Sequence, residues 1–268
     1  MPPPVAHHSS CTPGSVRRGA PDAAVTWAGD EGQRVQAEEL ARELGLSAVS
    51  PENTDFALLL VCAPARLELR DRRDPRIGPV YADFSHLDLR RYGHNLSRRQ
   101  PLARAIGKKT KTVVDATAGY CQDALLLALM GFQVTAIERS PLVAALARDG
   151  LQRFAAHSGV KLTRRLHLVT GDAMALLPSM AARPEVVYLD PMFPAKRKKS
   201  AAVKKEMRLL REVVGDDADA LALLEVSRRT ALERVVVKRP DDAPPLAPDP
   251  SMSIAGKLVR YDVYLARR

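Results

Sequence analysis

A chain of 268 residues can bury a real hydrophobic core, as one large domain or as one domain with a small appendage. Its 41 Lys and Arg against 31 Asp and Glu leave a net charge of +10, which favours a polyanionic partner, nucleic acid first, through long-range attraction and counterion release. Three widely spaced cysteines, Cys11, Cys62 and Cys121, form no Cys-x-x-Cys pair, which argues against a disulfide framework or a zinc site and for a reducing compartment.

Residues 1–24 are rich in Pro, Ser, Gly and Ala, lack periodicity and read as a disordered tail. They lack the charged start and apolar middle of a secretory signal, so a cytoplasmic location is expected. His7 and His8 fall in this tail, and none of the six histidines has metal-ligand spacing, so no metal is expected. Residues 25–108 read as a small N-terminal α/β region ending in a basic linker. Within it, Glu31 to Leu44 fits an amphipathic helix with Val35, Leu40, Ala41 and Leu44 on one side and Gly45 as its stop. Residues 57–61 and 67–70 fit strands joined around Pro64, and residues 80–84 fit a third. The longest apolar run, residues 56–65, contains Cys62 and Pro64 and is too short to span a membrane. The polar, basic stretch from Arg90 to Arg99 carries Tyr92 and suits either an RNA-facing loop or a solvated linker.

Over residues 109–268 strands and helices alternate, which predicts a mostly parallel sheet covered on both faces. The strands fall at 112–115, 133–138, 166–170, 186–190 and 234–238, and a last one at 258–265 would add antiparallel at the sheet edge. Helices fit residues 123–130, residues 141–153 with Ser140 as N-cap, and residues 200–214 before Gly215.

Four of these strands end near a carboxylate. Asp115 precedes a turn of small residues through Gly119, which lets a ligand approach backbone N–H groups at the start of the next helix. Glu138 follows Asp115 by 23 residues, near the spacing at which an acid in nucleotide-binding folds accepts the ribose hydroxyls. Asp172, after the third strand, is placed to accept a hydrogen bond from an adenine amine. Asp190 opens Asp190-Pro191-Met192-Phe193-Pro194, where an acid and a main-chain carbonyl could accept amine hydrogens while Phe193 stacks on a flat base. The glycines of a dinucleotide fingerprint and a Walker Lys are both missing, so a cofactor without phosphates, S-adenosylmethionine, fits best.

Asp115 to Gly119, Glu138-Arg139, Tyr188 to Pro194, Lys198 to Ala201, Val203 to Arg208 and Val235 to Pro240 carry a specific likeness. Over about residues 67–264 the chain resembles the RsmJ family of bacterial small-subunit (16S) ribosomal RNA guanine-N2 methyltransferases. The resemblance implies an α/β fold, a class I (Rossmann-like) methyltransferase sheet with a small N-terminal α/β appendage. It implies cofactor contacts at Gln122, Asp123, Glu138, Arg139, Asp172, Ala173 and Asp190, to which the strand-end reading adds Asp115 and Gly119. The chain departs from the family's Gly-Leu-Gly-Arg-Asp at Gly119-Tyr120-Cys121-Gln122-Asp123, and from its glycine-rich stretch at residues 93–97.

Directly after the acceptor corner, Lys196, Arg197, Lys198, Lys199, Lys204 and Lys205 form a basic cluster suited to RNA phosphates. The expected activity is methyl transfer to guanine N2 in small-subunit ribosomal RNA or the 30S particle, with Asp190, Pro191 and Phe193 at the base. Two rivals are an adenine-N6 methyltransferase, sharing the acceptor corner, and a non-catalytic RNA-binding assembly protein using the basic cluster alone.

Overall fold

The computed structural model describes residues 22–87, 89, 96–192 and 219–267. The stretch expected to form a helix at 200–214 lies outside these residues.

A small sheet comes first. It contains β1 (Ala23–Trp27), β2 (Leu58–Ala63) and β3 (Arg66–Asp71), with β1 parallel and β3 antiparallel to β2. The expected tail therefore ends too late, because β1 begins at Ala23, and the alanine-rich composition that suggested disorder lies buried there. Between β1 and β2, α1 (Glu31–Leu44) has the expected bounds: Asp30 and Gln33 form a capping box and Gly45 closes the helix in the left-handed region. Its buried stripe runs through Ala37 and Ala41, whereas Val35 is exposed, contrary to expectation.

The strand expected at 80–84 is not formed. Val80 makes one isolated bridge to Leu69, and the alternating burial of Val80, Ala82 and Phe84 comes from packing on a helix. That helix is α4. Before it lie α2 (Pro101–Ile106), too short to leave a period in the sequence, β4 (Thr112–Asp115), α3 (Gln122–Leu129) and β5 (Gln133–Glu138). Ser140 caps α4 (Pro141–Ser158) as expected, but the helix continues five residues past Arg153 to a left-handed Gly159.

The chain continues through β6 (Leu166–Thr170), α5 (Ala173–Ser179), β7 (Val186–Leu189), α6 (Ala220–Thr230), β8 (Arg234–Pro240), β9 (Met252–Ala255) and β10 (Val259–Leu265). Strands β4 to β10 form one sheet in the order β6-β5-β4-β7-β8-β10-β9, parallel through β8 and antiparallel beyond it. The edge is thus β9, whose mostly exposed residues show no alternation in sequence, and β10 lies one place inside it.

The valine runs of β4, β7 and β8 are buried on both faces, so helices must cover both sides. Val113, Val186 and Val236 face one core with residues of α2, α3 and α4; Val114, Val187 and Val237 face a second with α5 and α6. Helix α4 serves both sheets. Leu142, Val143, Ala145 and Leu146 pack with the small sheet, while Ala147 and Phe154 join the core of the large one.

The segment through Ala82 is pressed against α4 where Gly150 has no side chain. A Cβ there would lie 2.6 Å from the Ala82 Cβ and 2.9 Å from its carbonyl oxygen. Alanine's better helix propensity is worth ~1 kcal/mol, but overpacking against backbone costs about 1–3 kcal/mol. Gly150→Ala is therefore expected to destabilise the protein by up to about 2 kcal/mol in urea unfolding; a stabilised variant would show that residues 79–86 are not held on α4.

Candidate active site

The sheet order reverses direction between β4 and β7, and at such a switch point the loops after neighbouring strands diverge and leave a crevice. A cavity of about 610 Å³ opens there, at the carboxyl ends of the strands. Its walls are the 115–123 turn, the ends of β5 and β7, Lys238 of β8, the starts of α5 and α6, and residues 79–86 from the chain that leaves the small sheet.

Register brings the charged groups together. Leu189 of β7 pairs with Val237 of β8, so the next residues, Asp190 and Lys238, stand side by side where β7 ends and β8 runs on to Pro240. The Lys238 ammonium donates to Asp190 Oδ2 at 2.9 Å and to Asp123 Oδ2, from the first turn of α3, at 2.8 Å. The Tyr188 hydroxyl donates to the same Asp123 oxygen at 2.6 Å. Burial works against the Lys238 charge, but Asp190 and Asp123 outweigh it and hold the ammonium above the ordinary lysine value. The Asp190 N–H donates to the Thr117 hydroxyl at 2.6 Å, which fixes the backbone of the corner to the turn after β4.

Asp115 lies behind this triad, buried, accepting the Thr117 N–H at 3.2 Å. Burial first, then the Asp123 charge, pushes its carboxyl well above the usual carboxylate range. Burial, with help from Asp123, likewise raises the Tyr188 phenol, and Tyr261 to about 12, so both remain hydrogen-bond donors at neutral pH.

Glu138 ends β5 inside the protein. Its carboxylate accepts the Gly119 N–H at 2.8 Å and the Ser140 N–H at 2.7 Å, tying the small-residue turn to the strand end. Each carboxylate oxygen can accept more than one hydrogen bond, so these contacts orient the acid toward the cavity it lines. The turn itself needs left-handed backbone at Gly119 (φ 53°) and at Cys121 (φ 63°). The family's second glycine falls at Cys121, and the positive φ is the physical reason a glycine suits that place. Asp172 caps α5 by accepting the Met174 N–H at 2.8 Å, and Arg139 reaches Asp219 at the start of α6, 3.5 Å away.

Every described residue expected in the site lines this one cavity. They are Asp115, Gly119, Gln122 and Asp123 from the first turn, Glu138 and Arg139 from the second, Asp172 and Ala173, and Asp190 with Pro191. Phe193 and the basic cluster at Lys196, Arg197, Lys198, Lys199, Lys204 and Lys205 lie outside the described residues. Sequence reasoning missed Lys238 and Tyr188, and also the wall built by Tyr81, Asp83 and His86. Lys238 had a signal: a cation ending the valine run of the strand that follows the Asp190 segment. The wall had none, because only the fold carries residues 79–86 to the large sheet. No described helix is long and apolar enough to cross a membrane, and no described group of His, Cys, Asp or Glu is arranged to hold a metal.

Comparison with known proteins agrees with this geometry. A family described as putative SAM-dependent methyltransferase matches residues 39–266. The chain is 44% identical over 239 residues to the ribosomal RNA small subunit methyltransferase J of Coxiella burnetii, covering 87% of this chain and 92% of that protein. Its identity to the protein of the same name from Aeromonas salmonicida is 46% over 246 residues, covering 88% and 95%. The crystal structure of a SAM-dependent methyltransferase from Neisseria gonorrhoeae superposes with a TM-score of 0.66 at 30% identity, covering 91% of this chain and 96% of the other. With strand order, cavity and sequence in agreement, the chain belongs to the ribosomal RNA small subunit methyltransferase J family of S-adenosylmethionine-dependent methyltransferases.

Proposed function

We propose that this chain transfers a methyl group from S-adenosylmethionine to the exocyclic N2 of a guanine in small-subunit ribosomal RNA. The observation that carries the reading is the Asp190 carboxylate, held by Lys238 at the end of β7 inside an acid-lined cavity. The relatives' shared name supports the RNA, and a bacterial cytoplasmic location follows from such a substrate.

The lining fits the cofactor's chemistry. Asp123, Glu138, Asp172 and Asp190 outnumber Lys238 and Arg139, a balance that repels a phosphate-bearing cofactor and suits a cationic sulfonium. Glu138 would hold the ribose hydroxyls, Asp172 and Ala173 the adenine, and the Gly119 to Asp123 turn the amino-acid end. Bound there, the cofactor supplies an electrophilic methyl group on sulfur.

The chain's own residues then act on the acceptor. A guanine amine is a poor nucleophile, because its lone pair is delocalised into the ring. An acceptor that takes one amine hydrogen favours the pyramidal nitrogen of the transition state, and the Asp190 carboxylate does this, with the Asp190 or Pro191 carbonyl taking the other hydrogen. Lys238 and Thr117 fix the direction of that acceptor before the base arrives. The methylated nitrogen is acidic enough to release its proton to water, so no strong base is required.

Purified protein, cofactor and small-subunit RNA lacking the modification should yield N2-methylguanosine by nucleoside mass spectrometry; N6-methyladenosine instead would select the adenine reaction. Asp190→Asn keeps the shape but removes the charge, and should slow single-turnover transfer by at least about 10²-fold at saturating cofactor and RNA. Glu138→Gln should weaken cofactor binding by about 1.5–3 kcal/mol in calorimetric titration, the range for a hydrogen bond to a charged group. Unchanged affinity in a folded variant would remove Glu138 from the ribose site.

A further inference from the structure

Charge is balanced on one part of this molecule and unbalanced on another. On and after β3, arginines are neutralised in place: Arg66 and Arg70 on Glu68, Arg73 on Asp71, Arg76 on Asp74. The amino ends of the large sheet, the rim opposite the cavity, carry Lys108, Lys109, Lys111, Arg164 and Arg165, all exposed. Among the described residues no salt bridge neutralises any of the five. Glu185 is the acid beside them; its carboxylate accepts the backbone N–H groups of Lys111 and Thr112 and offsets part of the Lys111 charge.

The basic groups form one surface. The Lys111 carbonyl accepts from Gln133 N at 2.8 Å and the Arg165 carbonyl from Val134 N at 2.7 Å, so these two residues flank the start of β5. Arg98 joins them: its guanidinium donates to the Met130 carbonyl at 2.9 Å and the Lys108 carbonyl at 3.4 Å, and lies 4.4 Å from the centre of the Phe132 ring. The guanidiniums of Arg98 and Arg165 converge over Gly131, where a Cβ would meet Arg165 Nη1 at 2.9 Å and Arg98 Nη2 at 3.4 Å. Two like charges converging without a bridging carboxylate is the arrangement that an anionic partner stabilises.

We propose that this rim is a second RNA-contact surface, gripping phosphates of the substrate at a distance from the target base. The identity of the RNA rests on the function proposed above; the polyanion site rests on the charge distribution alone. Six cations on three adjacent loops match a phosphate backbone, which presents charges at regular spacing and is held by Lys and Arg without sequence information. Strand β5 separates the rim from Glu138 by six residues, roughly 20 Å. One flipped nucleotide cannot span that distance, so the rim would hold phosphates several nucleotides away from the target base or on a neighbouring strand.

The test uses the full chain with Lys108→Gln, Lys109→Gln and Lys111→Gln combined, and separately with Arg164→Gln and Arg165→Gln. Binding of small-subunit RNA is measured across a salt series, alongside cofactor calorimetry and single-turnover methylation. Neutralising three phosphate contacts should lower the log–log salt slope by about two to three and weaken binding on the order of 10²-fold near about 0.1 M salt. Cofactor affinity and the methylation rate at saturating RNA should stay at the wild-type level. An unchanged slope in both variants would overturn the surface. So would normal binding to naked RNA with loss only on the protein-containing particle, which would assign the rim to a ribosomal protein. If the wild type failed to methylate guanine while the variants still lost RNA binding, the surface would stand and the proposed activity would fall.

Discussion

The bottom of the cavity holds two carboxylates on one ammonium, and the geometry of the site depends on that Lys238 bridge. Asp190 ends β7 and Asp123 begins α3, so the bridge ties a strand end to the helix opposite it. Two like charges about 4 Å apart repel by ~4 kcal/mol at the effective dielectric of a partly buried site. Without the lysine the turn after β4 and the Asp190 corner would be driven apart. With it, Asp123, Asp190 and the Tyr188 hydroxyl share one hydrogen-bonded cluster, and burial pushes the carboxyl of Asp115 behind it upward.

Closing the cavity falls to the other end of the chain. Residues 79–86 leave the small sheet, lie on α4 at Gly150 and present Tyr81, Asp83 and His86 to the site. Arg153 of α4 donates to the Ala82 carbonyl at 2.6 Å and so fixes this wall. The small sheet is therefore more than an appendage: by sharing α4 with the large sheet it sets where one side of the cavity stands.

What the sequence revealed followed burial and chain-local signals. The valine-rich strands at 112–115 and 186–189, the 133–138 strand and the capped start of α4 were legible because fully buried strands and a Ser-Pro cap write themselves into a few adjacent residues. The acids were legible because a carboxylate straight after an apolar run must sit at a strand end. Three kinds of feature were hidden. Strand β9 is too exposed to alternate, α2 is too short to show a period, and residues 80–84 alternate because they pack on a helix and not because they pair in a ladder. The Lys238 bridge depends on the register of β7 against β8, which joins residues 48 positions apart and is fixed only by the folded sheet.

Lys238 acts through Asp190, and the two side chains form one energetic unit. A double-mutant cycle in single-turnover methyl transfer, with Lys238→Met, Asp190→Asn and the pair together at saturating cofactor and RNA, measures this directly. Strong non-additivity is expected: once Asp190 has lost its charge, removing Lys238 should slow transfer by less than about 3-fold, a small part of its cost in the wild type. Independent, multiplicative losses would contradict it, and would show that Lys238 acts on the reaction without positioning Asp190.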